Sequence, residues 1–117
     1  MKVQNEERSL RIVFCSCPRT ETKKLARKVI EERAGACVQI LPSIESVYYW
    51  KGEICEDEEA LLLIKTESGA VQQLIDLLIA HHPYTTPEVM AVGVVEGECT
   101  EGYRNWLLEE VGKRQNR

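Results

Sequence analysis

The sequence predicts a single α+β domain of order β-α-β-β-α-β, followed by one further helix. Three observations predict it. Short apolar runs rich in β-branched residues alternate with two stretches whose apolar residues recur at helical spacing. The two central runs follow one another with only a tight turn between them. The length, 117 residues, is that of one ordinary domain.

Residues 1–9 are polar and charged and read as a flexible N-terminal segment. Leu10 to Cys15 is the first strand, and Pro18 breaks the pattern after it. Thr20 or Thr22 can cap the first helix, in which Leu25, Ala26, Val29 and Ile30 form the apolar stripe. Gly35 is expected to close that helix in the left-handed position. Ala36 to Leu41 begins the second strand. Pro42 implies a bend or an edge, and the pattern resumes from Ile44 to Trp50. Lys51-Gly52 is the turn, and Ile54 to Lys65 is the third strand. Thr66 or Ser68 is expected to start the second helix, with Val71, Leu74, Ile75, Leu78 and Ile79 inward and Pro83 as its stop. Pro87 to Val95 is the fourth strand. Thr100 opens the last helix, with Tyr103, Trp106 and Leu107 on one face, and residues 112–117 read as a flexible tail. The domain therefore spans residues 10–111. Its order is that of the ferredoxin-like split β-α-β fold, an antiparallel sheet with both main helices on one face.

The second and third strands exceed the usual ~5–6 residues about twofold. Two helices cannot cover such a ribbon, and its far end carries Tyr48, Tyr49 and Trp50. An unpaired aromatic edge is an aggregation hazard. Pairing the arm with another copy of the chain removes the hazard. A hairpin folded back onto its own sheet is the alternative.

Composition narrows the function. Fifteen basic and nineteen acidic residues give a net charge of −4. That balance argues against a nucleic-acid or anionic-membrane partner. No apolar run is long enough to span a bilayer, and the start lacks the apolar core of a secretory signal, so a cytoplasmic protein is expected. Five cysteines, an odd number with no C-x-x-C pair, read as reduced thiols. No phosphate-cradling glycine loop, zinc-protease helix or oriented nucleophile is legible, so no enzyme is expected.

Three features could carry chemistry. Cys15, with Cys17 two residues on, closes the first strand, and its bland reading is a buried apolar thiol. His81 and His82 end the second helix, where a cation is favoured in any case. A thiolate with imidazoles would suit copper or zinc, not magnesium or calcium. Glu56-Asp57-Glu58-Glu59 alternates across the third strand and reads as a solvated edge.

Val13-Phe14-Cys15-Ser16-Cys17-Pro18, Glu31-Glu32-Arg33 with Ala36-Cys37, Tyr48-x-Trp50-x-Gly52, Lys65-Thr66, His81-His82-Pro83-Tyr84-x-x-Pro87-Glu88 and Tyr103-x-x-Trp106-Leu107 together resemble the CutA family of divalent-cation tolerance proteins. The resemblance covers about residues 10–111. It implies compact trimers of ferredoxin-like subunits whose long arms join neighbouring sheets. It also implies a link to tolerance of copper and other divalent ions. The family's proposed copper ligands fall on Cys15, His81 and His82, with Cys17 as an extra thiol. Arg19 replaces an acidic residue common in the family, and Gly35 stands where alanine is common.

Two functions follow. The first is a homotrimeric copper or divalent-cation tolerance protein that sequesters or senses metal through Cys15, His81 and His82. The second is a trimeric signalling or interaction module like the nitrogen-regulatory PII-type proteins, with a cleft between subunits lined by Trp50, Lys65, Tyr84 and Glu88. In that case metal binding is incidental, and a further protein partner is conceivable.

Overall fold

The computed structural model describes residues 8–114. Its elements are β1 (Leu10–Cys17), α1 (Thr22–Glu31), β2 (Cys37–Trp50), β3 (Glu53–Glu67), α2 (Val71–His81), β4 (Val89–Gly93) and α3 (Glu101–Gly112), with single 3-10 turns at Arg19–Glu21 and Ser68–Ala70. The four strands form one antiparallel sheet in the order β2-β3-β1-β4.

Alternation along the strands sets two unequal faces. On one, Val13, Cys15, Cys17, Ala60, Leu62 and Ile64 are fully buried against Leu25 and Val29 of α1 and Leu74 and Leu78 of α2. On the other, Phe14 sits opposite both Leu63 and Met90, and Ile12 opposite Val92. Met90 is 54% exposed and Val92 40%, so much of this apolar face is bare. A smaller cluster of Leu10, Ala70, Leu107 and Val111 packs α3 near the start of β1. Leu107 and Val111, one turn apart, are the buried pair of α3. Tyr103 and Trp106 stack on each other, ring centroids 5.5 Å apart, and remain well exposed, so the expected Tyr103–Trp106–Leu107 face is divided.

β1 pairs with β3 only over Ala60–Glu67. Beyond that point β2 and β3 continue alone through seven paired positions, from Ile44 opposite Glu59 to Trp50 opposite Glu53. This arm adds about 20 Å at ~3.4 Å per residue. The chain measures 50 × 29 × 25 Å as a result. Where the arm leaves the body, Pro42 and Ser43 are skipped in the pairing between Leu41 and Ile44. Two residues against one reverse the facing of β2, so Ser46, Tyr48 and Trp50 share a side with Asp57 and Glu59. The bend expected at Pro42 is this bulge.

Several local expectations are corrected. Gly35 does not hold the left-handed turn; Arg33 does, at φ 56°. The amide of Ala34 donates to the Val29 carbonyl and that of Arg33 to Ile30, the paired bonds of a Schellman end. Gly35 is required by packing instead, because a Cβ there would lie 2.8 Å from Ile64 Cγ2. Neither threonine caps α1, which has no side-chain cap. Thr66 lies buried in β3, its hydroxyl donating to the Ala34 carbonyl, and the turn before α2 is capped by Glu67, which accepts from the Gly69 amide. β4 is shorter than the run Pro87–Val95, because its pairing with β1 extends only over Val89–Gly93.

Both chain ends are anchored where they are described. Arg8 donates to the Leu108 carbonyl, and Ser9 is held by Ser68. Arg114 and Arg8 both pair with the buried Glu67 carboxylate, at 3.0 and 3.7 Å. Residues 1–7 and 115–117, the remainder of the segments read as flexible, lie outside the described residues.

Candidate functional site

A cleft of about 640 Å³ opens at the root of the arm. Its walls come from three places: Ser16 at the end of β1, Ser46, Val47, Tyr48, Trp50, Asp57 and Glu59 on the arm, and Tyr84, Thr85, Thr86 and Glu88 in the α2–β4 connection. Its volume lies within the ordinary range for small-molecule sites.

Glu59 is the centre of the wall. It is only 8% exposed, and each of its oxygens accepts one bond at 2.8 Å, Oε1 from the Ser46 hydroxyl and Oε2 from the Tyr84 hydroxyl. Burial and this hydrogen bond hold the Tyr84 phenol neutral well above the usual tyrosine range. Beside it the Tyr48 hydroxyl donates to Asp57 Oδ2, a bond that pushes the phenol up to about 12. Among the described residues, Asp57, Glu59 and Glu88 have no cationic partner, and no lysine, arginine or histidine lines the cleft.

Pro83 sets the position of Tyr84. It forces His82 out of α2 into extended backbone, at φ −82° and ψ 139°. The turned-in His82 ring then locks the connection. Its Nδ1 accepts from the Tyr84 amide at 3.1 Å, which leaves the Nε2–H to donate to the Ser16 carbonyl at 2.8 Å. The two rings pack at 4.7 Å.

The residues expected to bind metal are not brought together. Cys15 is fully buried in the sheet–helix core, where burial, reinforced by the charges of Cys17 and Glu88, pushes its thiol up to about 12. Cys17 is also buried and is pushed up to about 11, chiefly by desolvation. Burial thus disfavours the thiolate form that a metal ligand takes. Both nitrogens of His82 are engaged in structural bonds. His81 points to the outer groove lined by Lys24, Leu25, Arg27, Lys28 and Glu31. Among the described residues no group of three or more histidines, cysteines or acids is placed to hold a metal. Within one subunit, Cys15, His81 and His82 do not converge on a common point.

Of the residues expected in a cleft between subunits, Trp50, Tyr84 and Glu88 share this cleft within one subunit. Lys65 does not. It lies six residues along β3 from Glu59, bonded to Gln39 Oε1 at 2.7 Å and 6.0 Å from the Tyr103 ring centroid. Ser46, Tyr48, Asp57 and Glu59 were missed. The acidic run is not a uniform solvated edge: Glu58 pairs outward with Arg19, while Glu59 is buried. The available signal was the alternation that places Asp57 and Glu59 on one side. The side on which Ser46 and Tyr48 join them depends on the bulge, which has no unambiguous sequence mark.

The chain matches the family model for the CutA1 divalent ion tolerance protein over residues 11–110. The chain belongs to the CutA family. It is 41% identical over 102 residues to the divalent-cation tolerance protein CutA of Thermus thermophilus, covering 86% of this chain and 97% of that one. The solved structure of that divalent cation tolerance protein superposes with a TM-score of 0.82 over 86% of this chain and 97% of its own. The human protein CutA is 42% identical over 86% of this chain, which spans only 56% of the human one. A Nostoc structure described as a PII-like protein CutA in apo form superposes with a TM-score of 0.82 at 28% identity, over 86% of this chain and 96% of that one. Among the described residues, no helix is long and apolar enough to cross a membrane.

Proposed function

We propose that this chain is a cytoplasmic, non-enzymatic interaction and sensing module of divalent-cation tolerance, working as a homotrimer with its ligand site in the arm-root cleft. The observation that carries the reading is the cleft itself. A buried carboxylate, two tyrosines and Trp50 converge there from separate elements, and the His82–Ser16 bond fixes one wall to β1. The Nostoc relative's description as PII-like supports a regulatory role over turnover. Self-association is supported by the bare apolar face around Phe14, Leu63 and Met90, and by an arm whose Tyr49 is 74% and Ile54 64% exposed. Joining copies through these surfaces removes both from water.

Sequestration of copper by Cys15, His81 and His82 is the family's other implication. It requires deprotonating a buried thiol and giving up one of the two bonds of His82, so incidental metal binding is the better reading.

Light scattering and sedimentation equilibrium test the assembly. The mass should be about three times 13.4 kDa. Charged substitutions at the exposed arm positions, Tyr49→Asp with Ile54→Asp, should lower it while leaving the helical signal intact. A wild-type mass of one subunit at micromolar concentration would overturn the assembly.

A further inference from the structure

We propose that the arm-root cleft binds a small organic cation, an amine or guanidinium compound carrying an apolar portion. This deepens the reading above and rests on it. Asp57, Glu59 and Glu88 line the cleft, and among the described residues none has a cationic partner. Glu59 is almost wholly removed from water, and its partners among the described residues are two neutral hydroxyls, those of Ser46 and Tyr84. A buried carboxylate without a counter-charge is costly, and a cation entering the cleft relieves that cost.

The geometry then chooses among cations. A bare metal ion needs several oxygens or nitrogens converging on one point, and among the described residues no such group exists. Asp57 and Glu59 are two positions apart on β3, about 7 Å at the usual rise. Glu88 comes from a different element. Charge spread over such distances suits a cation with several N–H donors, or one whose charge is distributed. The remaining surface agrees. Tyr48, Trp50 and Tyr84 give the cleft aromatic walls, and aromatic rings attract ammonium and guanidinium groups. The same aromatic rings offer an apolar surface for the rest of such a compound, and Thr85 and Thr86 complete the lining.

Calorimetric titration of the full-length assembled protein tests this, with agmatine and benzyltrimethylammonium as cationic probes. Benzyl alcohol and glutarate serve as the uncharged and anionic controls, and Cu(II) as the metal control. A saturable heat is expected for at least one cationic probe, with the controls at least tenfold weaker. Glu88→Gln, at an exposed position, should weaken the cation about tenfold and leave the oligomer mass unchanged. Asp57→Asn should do the same, which guards against a folding defect in either variant. Equal binding of benzyl alcohol, preference for glutarate, or no effect of the two variants would overturn the proposal. So would stronger binding of Cu(II) that both variants abolish. Absence of any binding of either cationic probe to the assembled protein would also overturn it. A monomeric mass would instead sink the assembly reading, so the two failures are distinguishable.

Discussion

From Ala60 to Thr66, β3 runs between β1 and β2 beneath two helices, and Ala60, Leu62, Ile64 and Thr66 are fully buried. From Glu53 to Glu59 the same strand has only β2 beside it, and Ile54 is 64% exposed. The strand is continuous, but its two halves depend on different interactions. The body half is held by apolar burial, which is non-directional and sums over many contacts. The arm half carries polar pairs, Ser46 with Glu59 and Tyr48 with Asp57, which specify geometry more than they stabilise it. Stability and candidate site are thus divided along one strand, and they meet at Glu59 and Ala60, where the bulge of β2 lies opposite.

Truncation on either side should break the comparison most sharply. Leu62→Ala leaves a cavity in the core and should cost about 2–5 kcal/mol in urea unfolding. Ile54→Ala on the arm should change subunit stability by less than about 0.5 kcal/mol, and its effect should appear in the assembly mass instead. Equal costs at the two positions would mean that the arm is packed within its own subunit. Gly35→Ala should come next, at about 1–3 kcal/mol from overpacking against Ile64 and Val29. Because Gly35 lacks a positive φ, this cost should shrink when Ile64→Ala removes the Cγ2 methyl that the new Cβ would meet, as a double-mutant cycle can show.

Tyr84→Phe sharpens the cleft side. It removes one of two donors to buried Glu59 and should cost about 1–2 kcal/mol, with a larger fractional loss of ligand binding. A smaller effect is expected from pH. The Cys15 and Cys17 thiols lie above their ordinary value of 9.0, at about 12 and 11, because burial disfavours the thiolate. A raised folded-state value means that their contribution is fully present below pH 9 and is lost as pH rises through the folded values. The urea midpoint should therefore fall between about pH 9 and 11, and less steeply in Cys15→Ala. Glu110 works in the opposite sense. Its hydrogen bond from Arg33 holds its carboxyl below the usual range, so that small contribution is lost on acidification.

The body was legible because its signals are periodic. Leu25, Val29, Leu74 and Leu78 recur at helical spacing, and each is fully buried. The arm was legible as length, and its aromatic tip as a hazard. Less legible was anything that depends on how elements meet. Gly35 was read as a turn residue because a glycine after a helix usually is one, whereas a non-glycine, Arg33, takes that conformation and closes it with a side chain bonded to Glu110. His81 and His82 are neighbours in sequence, yet Pro83 sends their rings to opposite tasks, one to an outer groove and the other into bonds with Ser16 and Tyr84. Trp50, Tyr84 and Glu88 stand out through family motifs that place them between subunits, and they share a cleft within one subunit. Glu59 was hidden within an acidic run, and only the fold singles it out.

If the arm-root cleft is the ligand site, Cys15 with His81 and His82 should hold no dedicated ion. Anaerobic titration with Cu(I) and Cu(II) tests it most directly, comparing wild type with Cys15→Ser and with His81→Ala, oligomer mass recorded throughout. Any copper bound should be weak and unchanged by either substitution. Tight binding at a fixed ratio per subunit, lost in both variants while the assembly persists, would contradict it.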